Sequence, residues 1–408
     1  MKNHVYSHSS LSRSFRAEDF YKDARLRDDE AYKNEIIESA ISLSRAGVAD
    51  ISLSKTTAKG KSCYSTSLLS ERILFRLCAS YLKRSFGIYQ KNRNKIVDEL
   101  VNYLKDGSAY RIYRLDIKSF YESCDKDKVS KTVEENRNLS FQTKYLVKSF
   151  LELCKKNTLL GVPRGVEISS ILADISMKEI DSIINKNENV IYYARYVDDM
   201  IIVTTSYEDE QHFVSDIEEE MFIHGYTLNT KKQKILLLEK IDTAAAQISF
   251  EFLGYEFNIN NPGGNANRKN PRNVEIDISE DKIKKLKLKI SKSFYSFNKN
   301  NDFDMLIDRL TFLSTNRKLK KNRDPQVLSG IFYNYARINK SDTSIKMLDY
   351  FVLQNTLCVS SRLAKMRPPF TPEQKEKLLK ISFINGHKKR VFKEFSANRA
   401  HKIGKIWR

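Results

Sequence analysis

The chain has 408 residues, 41% of them hydrophobic, and carries 71 Lys and Arg against 51 Asp and Glu, for a formal net charge of +20 and a pI near 9.5. That length supports a large buried core in two or three domains, and the basic excess points to a polyanionic partner. No apolar run approaches the ~18–20 residues that span a bilayer, the start Met1-Lys-Asn-His-Val-Tyr-Ser lacks a signal-peptide core, and five scattered Cys without a CxxC pair argue against a zinc ribbon or disulfide framework; a cytoplasmic protein with no membrane partner is expected.

Residues 1–109 are mostly helical in pattern, with basic stretches at Lys83-Arg84 and Lys91–Lys95. From Tyr110 the chain alternates Tyr110, Ile112, Arg114 and Asp116 on one face with Arg111, Tyr113, Leu115 and Ile117 on the other. This predicts a strand with Asp116 near its carboxyl end. Next, Gly161-Val-Pro-Arg-Gly165 cannot be helical, because Pro163 fixes its own φ and restricts Val162. From Ser169, a candidate cap, Ile171, Leu172, Ile175 and Met177 fit a helix. A Gly-rich turn entering a helix offers backbone amides to phosphate or nucleotide; a plain loop before a core helix fits equally well.

The runs Val190–Tyr193 and Met200–Thr204 are rich in β-branched and aromatic residues and predict a hairpin with Asp198 and Asp199 at its turn. Two unit charges ~4 Å apart repel by about 4 kcal/mol at an effective dielectric of 20, which a divalent cation would reverse. Taken alone, the pair also suits a solvated turn in which Asp bonds its own backbone. Asp116 changes that balance by bringing a third carboxylate to the same side of a small sheet. Two divalent ions ~3.5–4 Å apart, as used in phosphoryl displacement, need about that many oxygen ligands.

Beyond the sheet, Asn260–Asn273 is polar, turn-rich and aperiodic, and reads as a linker or surface loop. Ser279 then offers an N-cap to a helix with Ile283, Leu286 and Ile290 on one face and Lys282, Lys284, Lys285, Lys287 and Lys289 around the remainder. Further helices are expected at 302–316 and 342–360. The last forty residues interleave Lys388, Lys389, Arg390, Lys393, Arg399, Lys402, Lys405 and Arg408 with Phe383, Phe392, Phe395 and Trp407. That mixture suits phosphate contact plus base stacking, or aromatics packed on a neighbouring helix.

Asp116-Ile-Lys-Ser-Phe-Tyr121, Gly161-Val-Pro-Arg-Gly165 with Ser169, and Tyr196-Val-Asp-Asp199 resemble, in order and spacing, motifs A, B and C of reverse transcriptases. Gly225-Tyr-Thr-Leu-Asn229 with Lys232 resembles motif D, and Phe252-Leu-Gly-Tyr-Glu-Phe257 the primer-grip hairpin. The resemblance implies an α+β right-hand polymerase: fingers from 1–109 plus 125–160, an RRM-like antiparallel-sheet palm over 110–257, a linker at 258–275, a helical thumb over 276–365 and a basic extension over 366–408. It implies RNA-directed DNA synthesis by two-metal nucleotidyl transfer.

In that reading Asp116, Asp198 and Asp199, with Ile117, hold two Mg²⁺ ions, for which Mn²⁺ can substitute. Lys232 protonates the departing pyrophosphate, with Lys231 and Lys234 as competitors. Tyr121 is the steric gate that favours deoxynucleotides, beside Phe120, although an ordinary core tyrosine fits the residues too. Gly161, Arg164, Gly165, Ser169 and, among the fingers cations, Arg93 contact the nucleotide or template, while Phe252, Leu253, Gly254 and Tyr255 hold the primer. The implied partners are RNA as template or noncoding RNA, a DNA product and dNTPs, with a partner protein or a second copy left open.

Two departures stand out. Arg164 replaces the usual Gln of motif B, followed by Val166-Glu167 in place of small polar residues, and Asp174 replaces a usual Asn. Among reverse transcriptases, Asp116–Ser123 and Gly330-Ile-Phe-Tyr-Asn-Tyr335 most resemble the compact bacterial group of retron, abortive-infection and defence-associated enzymes. The implied role is antiphage defence. The rivals are a group II intron or retroelement enzyme, untemplated or protein-primed synthesis by the same site, and a non-catalytic RNA-binding scaffold. Since neutralising ~6–10 phosphates costs roughly 10³–10⁵ in affinity between 50 and 200 mM salt, nucleic-acid binding measured over that range is expected to fall at least ~10³-fold.

Overall fold

A computed structural model describes residues 5–58, 60–89, 91–241, 243, 245–263, 272–319, 327–340, 343–358 and 369–407. The fold is α+β with antiparallel sheets, as expected. Two compact units divide it: residues 1–92 with 109–238, and residues 93–108 with 239–408.

In the first unit, β1 (Leu53–Ala58) and β2 (Lys61–Thr66) form a two-stranded ribbon within a stretch whose pattern predicted helices. Helix Leu69–Ser85 packs against β2 and against helix Glu30–Ala46, and its Ile73, Leu74, Phe75, Cys78 and Leu82 are buried. The palm sheet follows, with β3 (Tyr110–Asp116), β4 (Val190–Tyr196), β5 (Asp199–Thr204) and β6 (Lys234–Leu238) in the order β4-β5-β3-β6, every neighbour antiparallel. Helices Lys126–Glu135, Phe141–Lys156 and Glu167–Lys186 connect β3 to β4, and helix Glu210–Ile223 connects β5 to β6. This is the β-α-β-β-α-β arrangement of an RRM-like sheet. Side chains cover β3 on both sides, with Tyr110, Ile112, Tyr113, Leu115, Asp116 and Ile117 all buried.

Caps fix the connecting helices. Asp125 accepts the Asp127 and Lys128 N–H groups, and Ser140 accepts that of Thr143. The helix expected to begin at Ser169 begins at Glu167, with Val166 in the cap position and Ser169 within its first turn. The reason is electrostatic. Glu167 is held by Arg76 Nε at 3.1 Å, and the same buried guanidinium grips Asp19 through Nη1 at 2.5 Å. This accounts for a glutamate where motif B usually has a small residue.

The second unit centres on β7 (Ala246–Phe252), β8 (Tyr255–Asn261) and β9 (Asn273–Ile278), paired in that order. The expected linker thus has sheet at both flanks. Arg272, 1% exposed, donates to the carbonyls of Asp106 and Glu239, while residues 264–271 lie outside the described residues. Helix Glu280–Asn300 buries Ile283, Ile290, Phe294 and Phe297 as the pattern required. Its lysines are largely engaged: Lys284 and Lys285 pair with Glu280 and Asp281 one turn back, and Lys287 and Lys289 lie over the rings of Phe351 and Trp407. Helices Phe303–Ser314 and Thr343–Leu357 match the expected stretches; residues 359–368, where the thumb was expected to end, lie outside the described residues.

In the C-terminal stretch the aromatics pack inward. Phe383 is buried, Phe395 and Trp407 both meet Phe312, and Trp407 Nε1 donates to the Lys289 carbonyl at 3.1 Å; Phe392 stays 40% exposed. Among the described residues no helix is long and apolar enough to cross a membrane.

Candidate active site

The carboxyl end of β3 and the β4–β5 turn meet at one edge of the palm sheet. Asp116 stands directly opposite Asp199 in the β3–β5 register, and Tyr196 opposite Asp199 across the hairpin, leaving Val197-Asp198 as a two-residue turn. The Ile117 N–H donates to the Asp198 carbonyl at 2.9 Å and locks the turn to the strand end. Val197 adopts a φ of +62°, a left-handed conformation that a β-branched side chain resists by about 1–2 kcal/mol.

Asp116 is 5% exposed. Its Oδ1 accepts Lys232 Nζ at 2.8 Å, and its Oδ2 accepts Asn229 Nδ2 at 3.0 Å. The Asn229 N–H also donates to the Asp116 carbonyl at 2.8 Å, so one asparagine clamps both the backbone and the carboxylate. Arg114 Nη2 lies 3.7 Å from Asp199. Burial, then the charges of Asp198 and Asp116, raise the Asp199 carboxyl above its ordinary range, against the pull of Arg114 and Lys232.

Among the described residues no group of three or more His, Cys, Asp and Glu side chains is arranged to hold a metal ion. The donor chemistry nevertheless suits a hard divalent cation, being carboxylate oxygen throughout, and the mutual repulsion felt at Asp199 is the kind a cation relieves. Lys232 and Arg114 now provide the neutralising charge.

Behind the turn stands an anchor that the sequence reading missed. Arg195, 10% exposed at the side chain, donates Nε and Nη2 to Asp181 at 2.8 and 2.7 Å, and Nη1 to Asp174 at 3.0 Å and to the Val197 carbonyl at 3.1 Å. Asp174, the departure without an explanation in the sequence, is a counter-ion of this guanidinium. The single signal was a basic residue in an otherwise apolar strand.

Tyr121 and the motif B loop are also brought together. The Val162 N–H donates to the Tyr121 carbonyl at 2.9 Å, and a Cβ on Gly161, whose φ is +59°, would sit 2.1 Å from that same oxygen. Gly161→Ala is therefore expected to cost roughly 2–3 kcal/mol, seen in thermal unfolding as a drop of about 5–10 °C. Gly165, with φ +102°, approaches the Tyr64 carbonyl on β2 in the same way, and the Tyr64 N–H donates to the Arg164 carbonyl at 2.7 Å. The Arg164 guanidinium lies 4.9 Å from the Tyr121 ring centroid. Burial raises the Tyr121 phenol, assisted by Asp174 and Asp198 and opposed by Arg164.

Phe120 is 2% exposed and stacked on Tyr226, so it supports Tyr121 from within the core. Ser169 is wholly buried with an unpartnered hydroxyl. Arg93 opens helix Arg93–Leu104, which belongs to the second unit. There its Nε donates to the Leu253 carbonyl at 2.7 Å, its Nη1 to the Asn334 carbonyl at 2.8 Å, and its guanidinium covers Tyr255 at 4.5 Å. That guanidinium, expected to meet a triphosphate, is committed to the hairpin turn. Leu253 and Gly254 form this turn with φ +50° and +77°, as two-residue hairpins require, and Phe252 and Tyr255 are buried on either side.

An RRM-like sheet thus carries three carboxylates at one end of its inner strands, beside a glycine-rich loop and an aromatic residue, the arrangement of a polymerase palm. Residues 69–257, just under half of the chain, match the family model described as reverse transcriptase (RNA-dependent DNA polymerase), and this stretch is an RNA-directed DNA polymerase domain. No curated protein matches the chain. Among solved structures it is similar to apo telomerase of Candida tropicalis, at 13% identity over 88% of this chain and 66% of that one, with a TM-score of 0.39. A form of that telomerase truncated from its C-terminal domain gives 13% identity over 57% and 59%, with a TM-score of 0.37. Candida albicans telomerase, in complex with a fragment of telomeric RNA, gives 15% identity over 82% and 56%, with a TM-score of 0.33. The chain thus spans between 56% and 66% of the length of these telomerases.

Proposed function

We propose that this protein is a reverse transcriptase that extends a DNA primer on an RNA template by nucleotidyl transfer at Asp116, Asp198 and Asp199. The observation that carries the reading is the meeting of these three carboxylates at one sheet edge inside a stretch matching the reverse transcriptase family. Asp116, Asp198 and Asp199, with the Ile117 backbone beside them, would hold divalent cations, which would supply Lewis-acid chemistry to the primer hydroxyl and the triphosphate; Mg²⁺ is the proposed ion and Mn²⁺ its substitute.

The remaining roles belong to side chains. Lys232, 54% exposed and already on Asp116, is close enough to the carboxylates to hand a proton to the leaving pyrophosphate. Arg195 fixes the hairpin bearing Asp198. Tyr121 closes the space beneath the incoming sugar. Tyr121→Ala is expected to admit ribonucleotides at least ~10-fold more readily relative to deoxynucleotides, measured as the ratio of the two kcat/KM values; an unchanged ratio would remove the tyrosine from this role.

We further propose, on the likeness of Asp116–Ser123 and Gly330–Tyr335 to the retron and abortive-infection group, that synthesis serves antiphage defence in the bacterial cytoplasm, with a noncoding RNA or a partner polymerase. The deciding experiment is incorporation of labelled dNTPs with Mg²⁺ or Mn²⁺, with and without an RNA template and primer. Product that requires the template supports the reading. Product formed without any nucleic acid favours untemplated or protein-primed synthesis, and absence of product with every template and metal favours a scaffold.

A further inference from the structure

We propose that Arg164 is a positioning residue for sugar selection: lying across the Tyr121 ring, it fixes the aromatic surface against which the incoming sugar is judged. Discrimination between ribose and deoxyribose then belongs to the Arg164–Tyr121 pair, not to the tyrosine alone. This rests on the polymerase reading above and deepens it.

Three observations carry it. First, the backbone of Tyr121 is anchored while its ring is not. The Val162 N–H and the close approach of Gly161 pin its carbonyl, whereas no hydrogen bond to the phenol oxygen is found among the described residues; the ring meets Phe120 edge-on at 5.3 Å and the Arg164 guanidinium at 4.9 Å. Phe120 is locked in the core by its stack on Tyr226 and by the Arg195 guanidinium 5.8 Å away. It therefore gives one fixed wall, and Arg164 gives the other.

Second, the competing contacts of Arg164 are weak. Glu122 accepts from Nη2 at only 3.4 and 3.5 Å, and the buried Nε has no partner. A guanidinium with so little else to hold it is placed chiefly by the ring, where a partly desolvated cation–π contact is effective.

Third, the backbone that presents Arg164 is rigid. The Tyr64 N–H holds the Arg164 carbonyl, and Gly165 lies against the Tyr64 carbonyl, so β2 sets where the guanidinium begins. Glutamine, usual at this position in the family the chain resembles, has no cation to lay on the ring. The departure from the motif thus acquires a physical task.

The test is the ratio of ribonucleotide to deoxynucleotide kcat/KM for wild type, Arg164→Ala, Arg164→Lys, Tyr121→Ala and the double variant Arg164→Ala/Tyr121→Ala, with thermal unfolding alongside. Arg164→Ala is expected to weaken discrimination about ten-fold, equivalent to ~1.4 kcal/mol. Arg164→Lys should recover part of it, because the charge stays while the planar stack is lost. The double variant should discriminate no less than Tyr121→Ala, since the two residues act as one unit. If Arg164→Ala does not accumulate as folded protein, Arg164→Met carries the same expectation. An unchanged ratio, or independent effects that multiply in the double variant, would overturn the inference while leaving the polymerase intact. A wild-type protein that incorporates neither nucleotide would overturn the polymerase reading, and this inference with it.

Discussion

Asp198→Asn is expected to abolish nucleotide incorporation, at least ~10³-fold or about 4 kcal/mol of barrier, while leaving the protein folded and able to bind nucleic acid. The same holds for Asp116→Asn. The fold should tolerate the first change because the turn is tied to β3 through the Asp198 carbonyl and not its side chain. Stability carries an additional signature. The Asp199 carboxyl is raised by burial and by its two acidic neighbours, so the folded state favours its protonated form, and the charged form weakens the fold as pH rises through the raised value. Removing the Asp198 charge should therefore leave the variant as stable as wild type or slightly more so near pH 7. That difference should shrink as the pH falls and the Asp199 carboxyl takes up its proton. Retained synthesis in either variant would overturn the catalytic assignment; a collapse of the fold at pH 7 would contradict the repulsion.

Arg195→Met is expected to be the most destabilising single change near the site. It strips the guanidinium from Asp181 and Asp174, both at 3.0 Å or closer, and from the Val197 carbonyl. Breaking a buried pair from one side costs roughly 3–5 kcal/mol, because the other charges remain without compensation. The melting temperature should fall by about 10 °C, and synthesis should fall with it as the turn loses its support. Replacing the acids as well, in Arg195→Met/Asp181→Leu/Asp174→Leu, should recover much of the stability but not the activity, because the bond to Val197 is still missing. A single variant melting within about 2 °C of wild type would show that the network contributes little.

The β3 strand and the β4–β5 hairpin were legible because their apolar residues recur with the strand's own period and the hairpin turn interrupts them with acids. The order of the motifs then placed Asp116 beside Asp198 and Asp199. The β1–β2 ribbon was not legible: Leu-Ser-Lys-Thr-Thr-Ala and Lys-Ser-Cys-Tyr-Ser-Thr are mostly polar and largely outside the core, so no alternation marked them against a helical background. Arg93 and Ser169 show a second limit. Motif spacing fixes position along the chain, but what an arginine grips, or whether a serine faces water, depends on partners far away in sequence. Arg93 meets Leu253 and Asn334, and Ser169 lies in a turn set by Glu167 and Arg76. The Asn229 clamp was hidden for the same reason: the motif D likeness covered Gly225–Asn229 but gave a role to Lys232 alone.

That clamp has a mechanical consequence. Asn229 holds the main chain and the side chain of Asp116, the Lys118 N–H holds the Thr227 carbonyl at 2.9 Å, and Lys232 closes the same loop onto Asp116. Residues 116–118 and 227–232 are thereby joined at several points and travel as one lever. Under the roles proposed for Lys232 and Asp116, a triphosphate that draws the lysine toward itself would also tug on the carboxylate, so the arrival of a nucleotide would be felt at Asp116 before any bond is made.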